Sequence, residues 1–290
     1  MAENFNRKIE DIYKSLSKGH KKIADYIINN YEKASFMTAA SLGKAVGVSE
    51  STVVRFASNI GFDGYPELQS YLQEMVKSHL TSVQRMDVAA SRFEGDDMLD
   101  IAFAADIEMI KATREGISRD AFEKSAEAIN KAKKIYILGV RSSAALASFA
   151  AFYFRFLYEN VVLVDTSATS EIFEQMFHIS NEDVCVAISF PRYSTQTVKA
   201  LNFAKDRGAT IISITDGEMS PIAQLATHLL VAKSSMVSFV DSLVAPLSLI
   251  NALVAAAARK NQDDVYNDFR ELEKIWDEYH VYRTGGEGNG

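Results

Sequence analysis

A single cysteine, Cys185, in 290 residues leaves no partner for an internal disulfide and no basis for a cysteine-rich metal site. It sits in Asp183-Val-Cys-Val-Ala-Ile188, an apolar run that suits a buried structural thiol better than a nucleophile. No His/Asp/Glu set has metal-ligand spacing, and no glycine-rich nucleotide fingerprint occurs. Metal, cofactor and catalytic residues are therefore all expected to be absent. No apolar stretch reaches the roughly 18 residues of a membrane span. Ser242–Ala258 comes nearest, and Pro246, Ser248 and Asn251 interrupt it. The first residues, Met-Ala-Glu-Asn-Phe-Asn-Arg, lack an apolar signal region, so a cytoplasmic protein with no membrane partner is expected.

What is present belongs to a globular chain long enough for two domains, with 48% hydrophobic and 24% charged residues. A formal charge of −7 argues against a protein that coats nucleic acid by bulk attraction. The charge is uneven: the first 80 residues carry +1 and the remaining 210 carry −8. A near-neutral head on an acidic body lets the head approach phosphate while the body stays away.

Ser35–Phe56 carries the strongest signal, that of a helix-turn-helix. Thr38 can cap a short helix whose apolar residues Leu42, Ala45 and Val46 recur at helical spacing. Gly47 stands where the chain must reverse, and small Gly43 where two helices must cross closely. Ser49 can cap the second helix, with Val53 and Phe56 inward and Glu50, Thr52 and Arg55 outward. Such a second helix lies in the DNA major groove with its N-terminal residues nearest the base edges. Thr38, Ser49, Glu50, Ser51, Thr52 and Arg55 are the expected DNA-binding residues. An ordinary pair of core helices is the alternative, as is a salt bridge from Arg55 to Glu50 or Glu67.

Residues 4–80 read as five helices, the last spanning Tyr65–Lys77 after a turn-rich link, Asn59-Ile-Gly-Phe-Asp-Gly64. Lys18, His20, Lys21 and Lys22 cluster near the start of the second, as a phosphate-contacting edge or simply a solvated face. Gln84–Gly95 looks like a linker, and Asp96–Gly116 and Arg119–Lys131 carry helical periodicity. From residue 135 the pattern changes to short apolar runs: Ile135–Leu138, Val161–Val164, Val184–Ile188, Thr210–Ile214 and His228–Val231. These fit strands of a parallel sheet buried on both faces. Ser142–Tyr158, Ala168–Phe177, Ser194–Arg207 and Ser220–Ala226 fit crossover helices between them. Phe239–Ala258 reads as a long closing helix and Asp263–His280 as an amphipathic tail, with Thr284–Gly290 frayed. The expected architecture is a multi-domain chain: an all-α helix-turn-helix domain at 1–80, a helical linker at 81–118, and an α/β domain at 119–283. That last domain holds a parallel five-stranded sheet flanked by helices.

Ligands of open parallel sheets bind beyond the carboxyl ends of the strands, at helix N-termini that attract anions. Two such loops are rich in hydroxyls, Gly139-Val-Arg-Ser-Ser143 and Ser189-Phe-Pro-Arg-Tyr-Ser-Thr195. Ser142, Ser143, Ser189, Ser194 and Thr195 offer donors, and Arg141 and Arg192 offer guanidinium forks suited to phosphate. Each hydroxyl alone would be a helix cap; two Arg-bearing loops together point to an anionic small molecule. Asp165, Thr166, Glu171 and Lys233-Ser-Ser235 are weaker candidates.

These motifs resemble an RpiR-type transcriptional regulator, a helix-turn-helix domain joined to a sugar-isomerase (SIS) domain. The resemblance rests on Ala24-Asp-Tyr-Ile27, Ala39–Phe56, Gly61-Phe-Asp-Gly-Tyr65 with Glu67-Leu68, Ile135–Ser143 and Ala187-Ile-Ser189. Ala204-Lys-Asp-Arg-Gly-Ala209, Ile212-Ser-Ile-Thr215 and Ser220-Pro-Ile-Ala-Gln-Leu-Ala226 complete it over nearly the whole chain. It implies a homodimer or homotetramer that binds double-stranded operator DNA, senses a phosphorylated sugar and controls sugar-metabolism genes. The family's phosphate loop, Ser-x-Ser-Gly-x-Thr, is altered here: Pro191, Arg192 and Ser194 stand at its second Ser, Gly and Thr. Arg141 takes a position often held by Gly. A more acidic ligand, the same phosphate clamped differently, or a site filled by Arg192 would each fit; a retained anionic sugar is the expectation.

Two rival functions are a phosphosugar isomerase with an added helical domain and a DNA-binding protein whose sheet domain serves assembly only. Isomerisation needs a general base at the sugar carbonyl. Ser194-Thr-Gln-Thr197 supplies no carboxylate and Glu171 is a loose candidate, so no enzyme activity is expected. The closing helix and the tail bearing Trp276 are the expected interface elements.

Overall fold

The computed structural model describes residues 5, 9, 10, 12–77, 81–86, 97–236, 240–260 and 262–282. The chain forms two compact units, Met1–Ile101 with Met236–Asp241, and Ala102–Ser235 with Ser242–Gly290. Most of the expected linker at 84–95 and all of the tail from Thr284 lie outside the described residues. Of that linker, 84–86 is helical, and Arg85 is buried against Asp241 at 2.6 Å.

The first unit is all helical: α1 Lys18–Asn29, a single turn α2 Tyr31–Ala34, α3 Ala39–Val46, α4 Glu50–Asn59 and α5 Tyr65–Lys77. Ser17 caps α1, Thr38 caps α3 and Ser49 caps α4, each hydroxyl accepting an N–H three residues on. Gly47 ends α3 at φ 72°, the left-handed conformation that turns the chain into α4. The buried face of α3 is Ala39, Leu42 and Gly43, while Ala45, expected inside, is in solvent. Gly43 takes the inward place because the chain returns so close there: a Cβ on it would lie 2.8 Å from the Val48 carbonyl oxygen. Leu42, Val53, Phe56, Ile23, Ile27, Leu68 and Leu72 close the core. Each such large side chain contributes about 1.5–3 kcal/mol by leaving water.

The second unit begins with α6 Met98–Gly116 and α7 Arg119–Lys131, α6 straddling the division. Its sheet is β1 Ile135–Gly139, β2 Val161–Val164, β3 Val184–Ile188, β4 Thr210–Thr215 and β5 His228–Val231. The strands are all parallel in the order β2-β1-β3-β4-β5. Strands β1 and β3 are buried throughout and β4 everywhere but at Thr210, whereas the edge strands β2 and β5 are only partly so. Alternate residues face opposite layers. Ile137, Val186 and Ile212 meet α7, α8 (Ala144–Phe154) and α11 (Val244–Lys260); Tyr136, Cys185 and Ile211 meet α9 (Thr169–Gln175) and α10 (Thr195–Asp206). Burial pushes the Cys185 thiol up to about 12, so it is inert packing.

Two crossover expectations and the closing helix change in detail. The segment at 142–158 opens as a 3-10 turn, Arg141–Ser143, before α8. Ser220–Ala226 yields only the 3-10 turn Ala223–Leu225. The closing helix starts at Val244, with Phe239 outside the described residues, and buries Leu249, Ile250 and Leu253 within its own domain, so that face is not free for a partner. The tail helix, α12 Gln262–Glu278, brings Phe269 and Trp276 onto Phe156. No helix among the described residues is long and apolar enough to cross a membrane.

Candidate DNA-binding and effector sites

Helix α4 projects its face by register. Val53, Phe56 and Ala57 are buried, so Ser51, Val54, Arg55 and Ser58 look outward. Arg55 donates its Nε to the Ser51 carbonyl at 3.2 Å, and among the described residues neither Glu50 nor Glu67 pairs with it. Glu67 instead accepts the Asp63 N–H at the start of α5. The remaining guanidinium N–H groups therefore face solvent. Ser49 holds the turn together, its Oγ 2.8 Å from Thr52 Oγ1 and 3.0 Å from Ser51 Oγ. Thr38 is exposed and bonds back to Ser41.

The expected outward set thus divides in two. Glu50, Ser51 and Arg55 border one shallow concavity with Val54. Thr52 turns to the flank, lining a notch with Ser17, Gly19, His20, Val48, Ser49 and Arg55. Its position follows from α1, whose Gly19 approaches closely enough that a Cβ there would touch Thr52 Cγ2 at 3.4 Å. His20 lies edge-on to Phe56 with ring centroids 5.6 Å apart. Burial, and then the Arg55 guanidinium, hold His20 below its ordinary value, so it is neutral at neutral pH. Val54 is the residue that sequence spacing alone leaves unassigned, because it is apolar; His20, read from sequence as part of a phosphate-contacting edge or a solvated face, is half-buried against Phe56 instead.

In the second unit the strand order puts the two hydroxyl-rich loops side by side. From β1 the chain crosses one way to β2 and then back past β1 to β3, so the carboxyl ends of β1 and β3 flank a switch point. Gly139 pairs with Ile188 there, so the loop after each strand leaves from the same level. Gly139 itself admits no side chain, since a Cβ would lie 2.7 Å from Ala147 Cβ and the Ser143 carbonyl.

Around this crevice Arg141, Ser142, Arg192 and Thr195 are exposed, Ser194 is half-buried, and Ser143 and Ser189 are buried. Only Ser194 acts as a side-chain cap, accepting the Gln196 N–H. No side-chain cap bond forms at the 3-10 turn or at α8, so Ser142 and Ser143 are not held by helix capping. Arg141 adopts φ 57°, a left-handed conformation that costs a non-glycine residue about 1 kcal/mol. Tyr193 donates its hydroxyl to buried Asp216 at 2.8 Å, tying the second loop to the end of β4. Gln196 donates to the Ser167 carbonyl at 2.6 Å, which joins α10 to the loop after β2. Glu171, in the first turn of α9, accepts a bond from Thr166 Oγ1 of that loop. No group of three or more His, Cys, Asp or Glu residues that could hold a metal occurs among the described residues.

Residues 3–79 match the model of the helix-turn-helix domain of the rpiR family, and residues 128–256 that of the SIS domain. The chain is 30% identical over 240 residues to a helix-turn-helix-type transcriptional regulator of Haemophilus influenzae, covering 80% of this chain and 81% of that one. It is 26% identical over 230 residues to the regulator HexR of Pseudomonas aeruginosa, covering 78% and 77%. Among solved structures, the sugar isomerase domain of an RpiR transcription factor from Sphaerobacter thermophilus is similar at TM-score 0.58 and 28% identity, over 61% of this chain and 99% of that one. The Vibrio vulnificus NanR protein, solved with ManNAc-6P, has a similar fold at TM-score 0.59 and 20% identity, over 96% and 98%.

Proposed function

The chain belongs to the rpiR family of helix-turn-helix transcriptional regulators carrying a SIS domain, and we propose how its two domains divide the work. Helix α4 enters the major groove of a double-stranded operator. Ser51 and Arg55 reach base edges, while Thr38, Ser49, Glu50 and Thr52 hold or border the contact. The crevice between β1 and β3 takes a phosphorylated sugar whose binding tunes operator affinity and so the expression of sugar-metabolism genes. The observation that carries the effector reading is the shared exit of the two loops at Gly139 and Ile188, with Ser142 and Ser143 left uncapped.

The phosphate is held by Ser142, Ser143, Ser189, Ser194 and Thr195, by the N–H groups opening α10, and by Arg141 and Arg192. Hydroxyls and backbone donors bind an anion without adding charge, and an arginine contributes a charge-assisted bond of about 1.5–3 kcal/mol. The solved NanR complex, in a protein of similar fold, supports a sugar phosphate as the ligand class. We read the protein as a non-enzyme: Glu171 is engaged by Thr166 and Asp216 by Tyr193, so neither is placed as a free base over the crevice.

The working form is a homodimer or homotetramer, because one helix-turn-helix reads few base pairs and a two-fold operator needs two. Exposed Phe103 and Ile107 on α6 support this, as do Tyr266 and Ile275 on α12. Calorimetry against a panel of sugar phosphates tests the effector site. Wild type should bind one of them, and Ser142→Ala/Ser189→Ala should weaken it by about 1–3 kcal/mol. Equal binding by the double variant, or turnover of the sugar, would overturn the reading.

A further inference from the structure

The outward face of α4 contains one residue that its own domain does not explain. Ser51, Val54, Arg55 and Ser58 share that face, and three of the four carry polar groups. Val54 is 39% exposed, while its neighbour Val53 is fully buried. The hydrophobic core of the domain is complete without Val54. It sits instead in the shallow concavity between Ser51 and Arg55, on the surface assigned above to the operator.

The chemistry of the major groove limits what such a side chain can meet. Base edges there present hydrogen-bond donors and acceptors, with a single apolar group, the C5-methyl of thymine. A valine pressed on a guanine or adenine edge, or on the cytosine amino group, would strip water from a polar atom and return no hydrogen bond. Pressed on a methyl, it buries apolar surface on both sides. We propose that Val54 rests on the C5-methyl of a thymine and so fixes one A·T pair in each operator half-site, beside the base step that Arg55 faces. The proposal rests on the reading that α4 enters the major groove, and it adds a specificity determinant that polar contacts alone would not supply.

Duplexes selected by the full-length protein from a random-sequence pool provide the operator. Each thymine of one half-site is then replaced by uracil, which removes the methyl and nothing else. At one position wild type should lose about fourfold in affinity, as expected for one buried methyl. Val54→Ala should bind the thymine duplex about as weakly as wild type binds the uracil duplex, and should not distinguish the two. Val54→Thr, which keeps one methyl, should retain part of the discrimination. Circular dichroism confirms folding, which an exposed Val→Ala change on a helix favours. The proposal is overturned if wild type is indifferent to uracil at every position, or if Val54→Ala keeps the wild-type response. A protein that selects no sequence at all would instead overturn the reading of α4 as the groove helix.

Discussion

At the scale of single residues, the proposed contacts fall to side chains that the fold leaves largely uncommitted. Arg55 gives only its Nε to the protein, so Arg55→Ala should cost about 1–3 kcal/mol of operator affinity while leaving stability nearly unchanged. An unaltered gel-shift midpoint at fixed salt would contradict this. His20 offers a second test, through protons. Folding holds it below its ordinary value, first by burial and then by Arg55. The unfolded chain titrates near about 6.5, so below that pH the unfolded state binds more protons and the stability contributed by neutral His20 is lost. Denaturant titrations at pH 7.5 and 5.5 should therefore show His20→Gln losing less stability than wild type on acidification; equal losses would argue against it. Residue identity was legible where geometry was local, as with Thr38, Gly47 and Ser49, all found in their expected capping roles. It was not legible where a neighbouring helix decides exposure. Ala45 lies in solvent because α4 returns over Gly43, and Thr52 is turned aside because α1 passes at Gly19.

At the scale of elements, close backbone approach shapes both candidate sites. Gly43→Ala places a Cβ 2.8 Å from the Val48 carbonyl, a backbone atom that cannot yield as a flexible side chain would. The substitution should destabilise the first unit by about 1–3 kcal/mol and weaken operator binding further by tilting α4 away from α3. Thermal melts together with gel shifts check it, and unchanged melting would mean the turn relaxes freely. The helices α5 and α7 and the strands β2, β3 and β5 fall at the expected bounds, because caps, apolar runs and turn residues mark them sharply. The crossover at Ser220–Ala226 is shorter than its sequence pattern implies. Its apolar residues follow a helical spacing, yet the chain needs only a short 3-10 turn to carry β4 to the adjacent strand β5. Closing helix α11 illustrates a different limit. Its apolar length suggested a partner, but composition cannot tell a sheet of the same domain from a second subunit.

For the whole molecule, neither the strand order nor the pairing of β1 with β3 could be read from the apolar runs alone. That pairing turns two loops about 50 residues apart into one crevice, which supports a single effector site rather than two unrelated turns. An effector regulates only if it binds the operator-binding arrangement of the protein better or worse than its alternative, and the coupling is then reciprocal. The most direct measurement is operator affinity of the full-length protein, titrated with a sugar phosphate such as N-acetylmannosamine 6-phosphate and the rest of the hexose phosphate panel. For at least one sugar phosphate, wild type should show a shift in affinity of about fivefold or more. Ser142→Ala/Ser189→Ala should bind the operator normally and lose that shift. A protein whose operator affinity no sugar phosphate changes, or a double variant that responds as wild type does, would contradict the account.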